Sequence, residues 1–272
     1  MGKNWTIDDF ELGRPLGKGK FGQVWLAREK ERGYIVALKI IRKSDIRGSE
    51  NTRQLRREIE IHSNLRSENI IRMYGYFYDM SCVYLVLEYA GNGEFFRILT
   101  MSGRFSEKMA ANYILQVSNA LSHMHGLDVI HRDLKPENML MGCDNKVKIA
   151  DLGWAVRNVD KKRYTYCGTL EYLAPEMYTK FNHDKSLDMW CLGILCYEFL
   201  VGSPPFESKA RSPRETYEKV KTLSYSIPEH VSEDARSFIS SLLVVSSEKR
   251  MKIEMVPRHA WIVKNCGVQE LH

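Results

Sequence analysis

Up to Tyr89, short segments of the chain either alternate hydrophobic and polar positions or run apolar, and both patterns are typical of β-strands. Charged or glycine-containing turns separate these segments. Thr52–Leu65 differs, because its apolar residues recur at helical spacing. The pattern predicts strands over five segments: Phe10–Gly17, Gln23–Arg28, Ile35–Ile41, Ile70–Tyr78 and Cys82–Tyr89.

The pattern changes after Ala90–Gly93, a run of small and turn-forming residues that predicts a hinge. Met109–His125 has apolar residues at helical spacing, and Asp188–Val201 is typical of a mostly buried helix. We therefore predict an α+β fold with a small strand-rich lobe that holds one helix, followed by a larger helical lobe. Ligands often bind where such lobes meet.

The composition is that of a soluble globular protein, with 44% hydrophobic and 27% charged residues in a chain of 272. No apolar run approaches the ~20 residues that span a bilayer, and no signal peptide is evident, so we expect no membrane segment. The six cysteines show no CxxC pair, which predicts free thiols in a reducing compartment. The net charge of +6 is scattered, whereas nucleic-acid binders usually carry a sharper basic stripe.

A glycine-rich segment, Gly17–Gly22, lies between two predicted strands. Glycines there let backbone N–H groups approach a phosphate closely. The GxGxxG spacing alone also fits an ordinary turn or a dinucleotide-binding loop, but such a loop should open into a helix. Because the sequence continues as a strand, the pattern favours a hairpin lid.

Lys39 lies inside a predicted strand with apolar neighbours, and Glu58 lies on the predicted helix. Lys39 alone could be an edge-strand lysine whose ammonium is in water. Together with the glycine-rich segment, the pair favours a lysine that holds α- and β-phosphates and is oriented by a glutamate.

Asp133, Lys135 and Asn138 lie within six positions, and Asp151 follows thirteen residues later. The Asp133 carboxylate could accept a hydrogen bond from a hydroxyl and take its proton. The Lys135 ammonium could steady a phosphoryl group, and Asn138 and Asp151 offer the oxygen ligands that Mg²⁺ prefers. Any one of them could be an ordinary surface residue, but their order and spacing favour phosphoryl transfer.

With these residues the chain resembles the eukaryotic protein kinases from Phe10 to Ile262. Ala174-Pro175-Glu176 matches the end of the family's activation segment, and Arg250 is placed to pair with Glu176. Asp188-Met189-Trp190 resembles the central helix that anchors the catalytic loop. Lys135 is typical of the serine/threonine kinases.

The resemblance implies the bilobal protein-kinase fold, with ATP and Mg²⁺ as cofactors. It implies one kinase domain at 10–262, with an N-lobe at 10–88, a C-lobe at 89–263 and short flanks at 1–9 and 264–272. The adenine would be held by the backbone of Glu88 and Ala90. The residues that the resemblance assigns to ATP binding are Leu16, Gly17, Lys18, Gly19, Gly22, Val24, Ala37, Lys39, Glu88, Ala90 and Leu140.

Further segments are similar to the Aurora kinases. The opening Trp5–Gly22, the tryptophan of Gly153-Trp154, and the segments Cys167–Leu173 and Cys196–Gly202 all match. Gly75 favours the spindle-pole (A) type over the chromosomal-passenger (B) type, which tends to have asparagine there. An ordinary turn glycine remains an alternative explanation of that residue.

The resemblance places the activation-loop phosphosite at Thr165, with Arg57, Arg132 and Arg163 as its clamp. Basic residues precede Thr165, so a kinase that prefers basic sequence contexts could phosphorylate its own loop. We expect a monomer that forms a transient dimer for this reaction. The substrate-selecting acids, which would hold basic residues before a serine or threonine, would be Glu94, Glu137 and Glu198. Each acid could instead pair internally, and Arg57 could belong to a solvated helix face.

Two positions depart from the usual kinase pattern. Leu152 replaces the commoner phenylalanine, and polar His62 occupies a slot where most kinases stack an aliphatic residue. Leucine is apolar and can fill the same pocket, so Leu152 does not put activity in doubt, whereas His62 leaves the hydrophobic stack incomplete. From His62 we expect an underactive enzyme that a peptide docked on Thr52–Leu65 and Tyr76 would activate. That activator would be of the spindle-assembly type, or the inner-centromere protein if the chain is B-like, and the expected location is cytoplasmic and nuclear, at centrosomes and the mitotic spindle.

A scaffold pseudokinase is the rival from another functional class. Such a protein would be expected to lack Lys39, Asp133 or Asp151, and all three are present.

Overall fold

Antiparallel strand pairing organises the amino-terminal lobe. The structure is a computed structural model that describes residues 5–19, 22–157, 169–179, 184–207 and 212–267. The lobe contains strands β1 (Phe10–Lys18), β2 (Gly22–Glu29), β3 (Ile35–Arg42), β4 (Met73–Tyr78) and β5 (Cys82–Glu88), with helix α1 (Ser49–Asn64) between β3 and β4. The strands pair in the order β1-β2-β3-β5-β4, so β4 lies at an edge of the sheet.

Each face of this sheet carries an apolar cluster, and the side-chain alternation along β5 shows why. Leu85 and Leu87 belong to the apolar cluster that includes residues of α1. Tyr84 and Val86 belong to the cluster on the other face, where Tyr84 stacks on Phe77 with ring centroids 4.6 Å apart. Successive strand residues point to opposite faces, so one apolar strand supplies two cores.

The carboxy-terminal lobe is mainly helical. Its helices are α2 (Phe95–Ser102), α3 (Glu107–Gly126), α4 (Pro175–Thr179), α5 (Ser186–Val201), α6 (Pro213–Thr222), α7 (Glu233–Leu242) and α8 (Ala260–Cys266). Short antiparallel pairs join β6 (Val129–Ile130) to β9 (Val156–Arg157) and β7 (Met139–Met141) to β8 (Val147–Ile149). Helix α5 packs against α3 and α7 and is buried over most of its length.

The described elements confirm the predicted α+β fold with a smaller strand-rich lobe, but some ends differ. The strand predicted over Ile70–Tyr78 begins at Met73, because Ile71 N–H donates to the Ile149 carbonyl of β8 instead. Helix α3 begins earlier than predicted, since the Ser106 side chain accepts from the Met109 amide as an N-cap. Among the described helices, none has the length and apolar character needed to cross a bilayer.

Candidate active site

An ion pair joins the two elements that carry Lys39 and Glu58. Lys39 lies on β3 and Glu58 on α1, and the Lys39 ammonium donates to Glu58 Oε1 at 2.8 Å. Burial lowers the pKa of Lys39, but the carboxylates of Glu58 and Asp151 outweigh it and raise that pKa. The lysine is therefore held in its charged form, as a phosphate ligand must be.

Asp133 follows β6 and is held by its own loop. Asn138 Nδ2 donates to both the carbonyl and the Oδ2 of Asp133 at 2.7 Å, and the Lys135 ammonium lies 3.4 Å from Oδ2. Oδ1 of Asp133 is buried and has no hydrogen-bond partner among the described residues. A buried acceptor without a donor requires an explanation, and a substrate hydroxyl would supply the missing donor.

The loop that follows β6 and carries Asp133, called the catalytic loop below, is anchored on helix α5 by Asp188. Its carboxylate accepts backbone N–H groups from His131 and Arg132, both at 2.9 Å, and the ring N–H of His125 at 2.8 Å. Burial raises the pKa of Asp188, but these donors outweigh it and lower that pKa. Arg132 has a φ of 70°, which is uncommon for a residue with a side chain, and the fixed carboxylate holds it there.

Asp151 begins the loop that the sequence assigned to the metal. Its Oδ1 accepts the Gly153 amide at 2.8 Å, and the Ala150 amide donates to the Asn138 carbonyl at 2.9 Å, so this loop is bonded to the catalytic loop. Within the described ranges, no group of three or more His, Cys, Asp or Glu could hold a metal by itself. Mg²⁺ at phosphoryl-transfer sites is usually held by one or two carboxylates together with substrate phosphates, and the oxygens of Asp151 and Asn138 fit that use.

The residues predicted around adenine lie together beneath the sheet. Leu16, Val24, Ala90 and Leu140 all pack against the buried cluster that contains Ala37. The cleft therefore has apolar walls from both lobes, as a flat heteroaromatic ring requires.

At the hinge, the backbone N–H of Glu88 is used within the amino-terminal lobe. Its amide N–H donates to the Arg72 carbonyl at 2.8 Å, so a contact between Glu88 and adenine would have to use the carbonyl oxygen. The Glu88 side chain pairs with buried Lys148 at 2.8 Å. The sequence pattern did not single out Lys148, which is a buried residue of strand β8.

The glycine-rich turn is closed by a bond from the Gly19 amide to the Gly22 carbonyl at 2.8 Å. A Cβ built on Gly22 would lie 2.1 Å from the Ile40 carbonyl oxygen, so only glycine fits between the strands. Gly17 and Lys18 are exposed at the end of β1. The lid predicted from the sequence is thus a hairpin, and no helix follows it.

Of the three predicted substrate-selecting acids, Glu94 and Glu137 are exposed and Glu198 is buried. Glu198 lies on α5 and accepts a hydrogen bond from the Tyr172 hydroxyl. Burial raises the pKa of Glu198 to about 7, against the effect of that hydrogen bond. Nearby Glu137 raises the same pKa, as do two further carboxylates, those of Glu171 and Glu207.

The structure describes part of the predicted activation-loop phosphosite and its arginine clamp. Thr165 and Arg163 lie outside the described residues. Arg132 is buried and its Nε donates to the Trp154 carbonyl at 2.9 Å, while Arg57 is partly exposed on α1.

Two departures of the sequence are accommodated in the core. His62 is buried and donates from Nε2 to the Ile71 carbonyl at 2.6 Å, and burial lowers its pKa. Leu152 is buried in the large core of the helical lobe. Both side chains therefore have well-defined surroundings.

The structure confirms the predicted pair of Arg250 and Glu176, which is bidentate with distances of 2.7 and 2.6 Å. Sequence reasoning missed Thr169, whose hydroxyl accepts from the Lys135 ammonium. Thr169 lies in a segment noted only for its family resemblance, and no periodicity marks it.

The fold and this site together define a protein kinase, and a family model described as a protein kinase domain matches residues 10–262. The chain is 58% identical over 268 residues to an Aurora kinase of Encephalitozoon cuniculi, covering 98% of each chain. It is 50% identical to Aurora kinase A-A of Xenopus laevis, covering 98% of this chain and 65% of that one. It is 49% identical to serine/threonine-protein kinase Aurora-2 of Arabidopsis thaliana, covering 99% and 95%. This chain therefore belongs to the Aurora family of serine/threonine protein kinases.

Membership confirms the predicted enzyme class and the bilobal fold. Protein kinases generally use ATP with a divalent metal ion and act on protein substrates.

Proposed function

We propose that this chain is a mitotic kinase that transfers the ATP γ-phosphate to serine or threonine in basic sequence contexts. The observation that carries the proposal is the convergence of the Lys39–Glu58 pair on Asp151, with a second carboxylate, Asp133, whose Oδ1 has no donor in the described part of the chain. The kinase domain is assigned to 10–262, with lobes at 10–88 and 89–263.

Each catalytic residue has a role that its contacts support. Asp133 accepts the hydrogen bond of the substrate hydroxyl at Oδ1 and takes its proton late in transfer. Lys135, held between Asp133 and Thr169, steadies the transferring phosphoryl group. Lys39 binds the α- and β-phosphates in the orientation that Glu58 gives it.

Asn138 and Asp151 would hold Mg²⁺ through their side-chain oxygens. The Asn138 amide nitrogen already donates to Asp133, so the side-chain oxygen is the atom that would serve as a ligand. Mg²⁺, when bound, neutralises phosphate charge.

Substrate choice rests on the three acids Glu94, Glu137 and Glu198. They would hold arginine or lysine side chains that precede the phosphorylated residue. Thr165 follows basic residues in the sequence, so it fits the same preference and is the proposed autophosphorylation site. Phosphate there would recruit the proposed clamp, made of Arg57, Arg132 and Arg163.

The proposed activator peptide is of the spindle-assembly type and docks on α1 and on Tyr76, which is 51% exposed on edge strand β4. It would hold Glu58 against Lys39. By resemblance, this partner would place the enzyme at centrosomes and the spindle.

The A-type assignment rests on Gly75. A Cβ built on Gly75 would lie 2.9 Å from the Trp5 ring, so an asparagine there would require Trp5 to move. The inner-centromere protein is the partner expected if the B-type assignment is correct. Binding of both activator peptides to wild type and to Gly75→Asn would separate the two types.

The proposal is tested by following phosphate onto Thr165. Dephosphorylated enzyme is incubated with Mg²⁺ and ATP, and phosphosites are mapped by mass spectrometry. Phosphate should appear on Thr165 at a rate that rises with the square of enzyme concentration, and Asp133→Asn should show none. Phosphorylation of a basic peptide without modification of Thr165 would contradict the autophosphorylation step.

A further inference from the structure

A glutamine on helix α1 contacts the metal loop directly. Gln54 lies on α1 one turn before Glu58, and residues four apart share a helix face. Its Nε2 donates to the carbonyl oxygen of Gly153 at 2.6 Å, across 99 residues of sequence.

The acceptor peptide lies at the centre of the metal loop. The Gly153 amide donates to Asp151 Oδ1 at 2.8 Å, and the following carbonyl, that of Trp154, accepts from Arg132 Nε at 2.9 Å. A Cβ built on Gly153 would lie 3.0 Å from Asp151 Oδ1 and 3.7 Å from Glu58 Oε2. Gly153 therefore lies between the two carboxylates that must be placed together.

These contacts divide the support of the loop between two elements. Arg132 holds the Trp154 end from the catalytic loop, which Asp188 fixes on α5. Gln54 holds the Gly153 end from α1, the element on which the proposed activator docks. A displacement of α1 would thus remove Glu58 from Lys39 and release the Asp151 loop at the same time.

We propose that Gln54 is a positioning residue that couples helix α1 to the metal loop and so sets the placement of Asp151. The inference rests on the proposed role of Asp151 as a metal ligand. Through this contact, α1 would act on the active site independently of the Lys39–Glu58 ion pair.

The test compares nucleotide binding with and without metal. Gln54→Met keeps the length and neutrality of the side chain but removes the donor. Arg56→Met places the same residue at an exposed position on the same helix and serves as the matched control. Calorimetry measures the Kd of ADP for each protein, once in excess Mg²⁺ and once in EDTA.

For Gln54→Met we expect the affinity for ADP in Mg²⁺ to fall about tenfold, the effect of leaving one partly buried carbonyl without its donor. Affinity in EDTA should stay within about twofold, because Lys39 and the adenine cleft are unchanged. Arg56→Met should match wild type in both. Amide hydrogen exchange over residues 151–155 should quicken in Gln54→Met alone.

Equal weakening with and without metal would overturn the proposal, because it would show a general loss of α1 packing. Unchanged affinity in both conditions would overturn it as well. If the melting temperature of Gln54→Met falls, the comparison is repeated with Gln54→Ala. The deciding quantity is still the Kd of ADP in Mg²⁺ divided by its Kd in EDTA. If ADP binding to the wild type does not depend on Mg²⁺, the proposed metal role itself fails, which is a different result.

Discussion

Glu198 should make the recognition of basic substrates depend on pH near neutrality. Burial raises the pKa of this carboxyl to about 7, and Tyr172 is its hydrogen-bond donor. Below that pH the carboxyl is protonated and has no charge to attract an arginine. The other acids around it, Glu137, Glu171 and Glu207, all favour the protonated form.

The magnitude follows from the ionised fraction. A group with a pKa of about 7 is roughly 10% ionised at pH 6 and roughly 90% ionised at pH 8, so affinity for an arginine side chain can rise up to about tenfold. The KM for a peptide with arginine before its serine should therefore fall by up to that factor over this range. Glu198→Gln should have a high KM that changes little with pH.

The assay measures KM and kcat for that peptide and for a matched peptide with alanine in place of arginine, between pH 6 and pH 8. The ratio of the two KM values removes pH effects on the rest of the enzyme. Glu229→Gln, which changes an exposed carboxylate, is the control variant. A KM ratio that is independent of pH in the wild type, or that still changes in Glu198→Gln, would refute the reasoning.

The raised pKa of Glu198 also makes the stability of the folded protein depend on pH. Because the folded-state pKa of Glu198 lies above that of the free carboxyl, its ionisation opposes folding. The contribution favours folding at acidic pH and is lost as the pH rises through about 7. Glu198→Gln should therefore raise the melting temperature more at pH 8 than at pH 5.

Two further predictions concern residues that support the site. Arg250→Met should lower the free energy of unfolding by about 3–5 kcal/mol in denaturant titrations, because it removes the bidentate guanidinium partner of the nearly buried Glu176 carboxylate; a loss no larger than that of Arg250→Met with Glu176→Gln would contradict this. Thr169→Val should lower kcat about tenfold with little change in the KM for ATP, since it removes the hydrogen bond that orients Lys135; a steady-state assay in which KM alone changes would oppose the assigned role.

The periodic elements could be predicted from the sequence because burial imposes a period. Strand β3 around Lys39 and helix α5 around Glu198 each have an apolar pattern, and a charged residue inside such a pattern needs a partner. The Lys39–Glu58 and Arg250–Glu176 pairs were predicted in this way or by family resemblance, and both are present.

The contacts that were missed have no period to mark them. Gln54 bonds to a backbone carbonyl 99 residues away, and Lys135 bonds to Thr169 across 34 residues. Polar side chains of these types are common on exposed surfaces, so only the fold shows which of them meet. The partner of Glu198 could not be predicted for the same reason, since the sequence fitted both a substrate contact and an internal pair. The structure shows a hydrogen bond from the Tyr172 hydroxyl.

The most direct test of the central claim, that this site transfers phosphate to serine or threonine, is radiolabelled ATP with an arginine-containing serine peptide. Wild type, Asp151→Asn and the exposed-site control Asp8→Asn are compared at equal concentration in Mg²⁺. We predict transfer by the wild type and the control, and a loss of at least about 100-fold in kcat for Asp151→Asn, as when one electrostatic group is removed from an active site. Equal transfer by all three proteins, or none by the wild type phosphorylated at Thr165, would contradict the account.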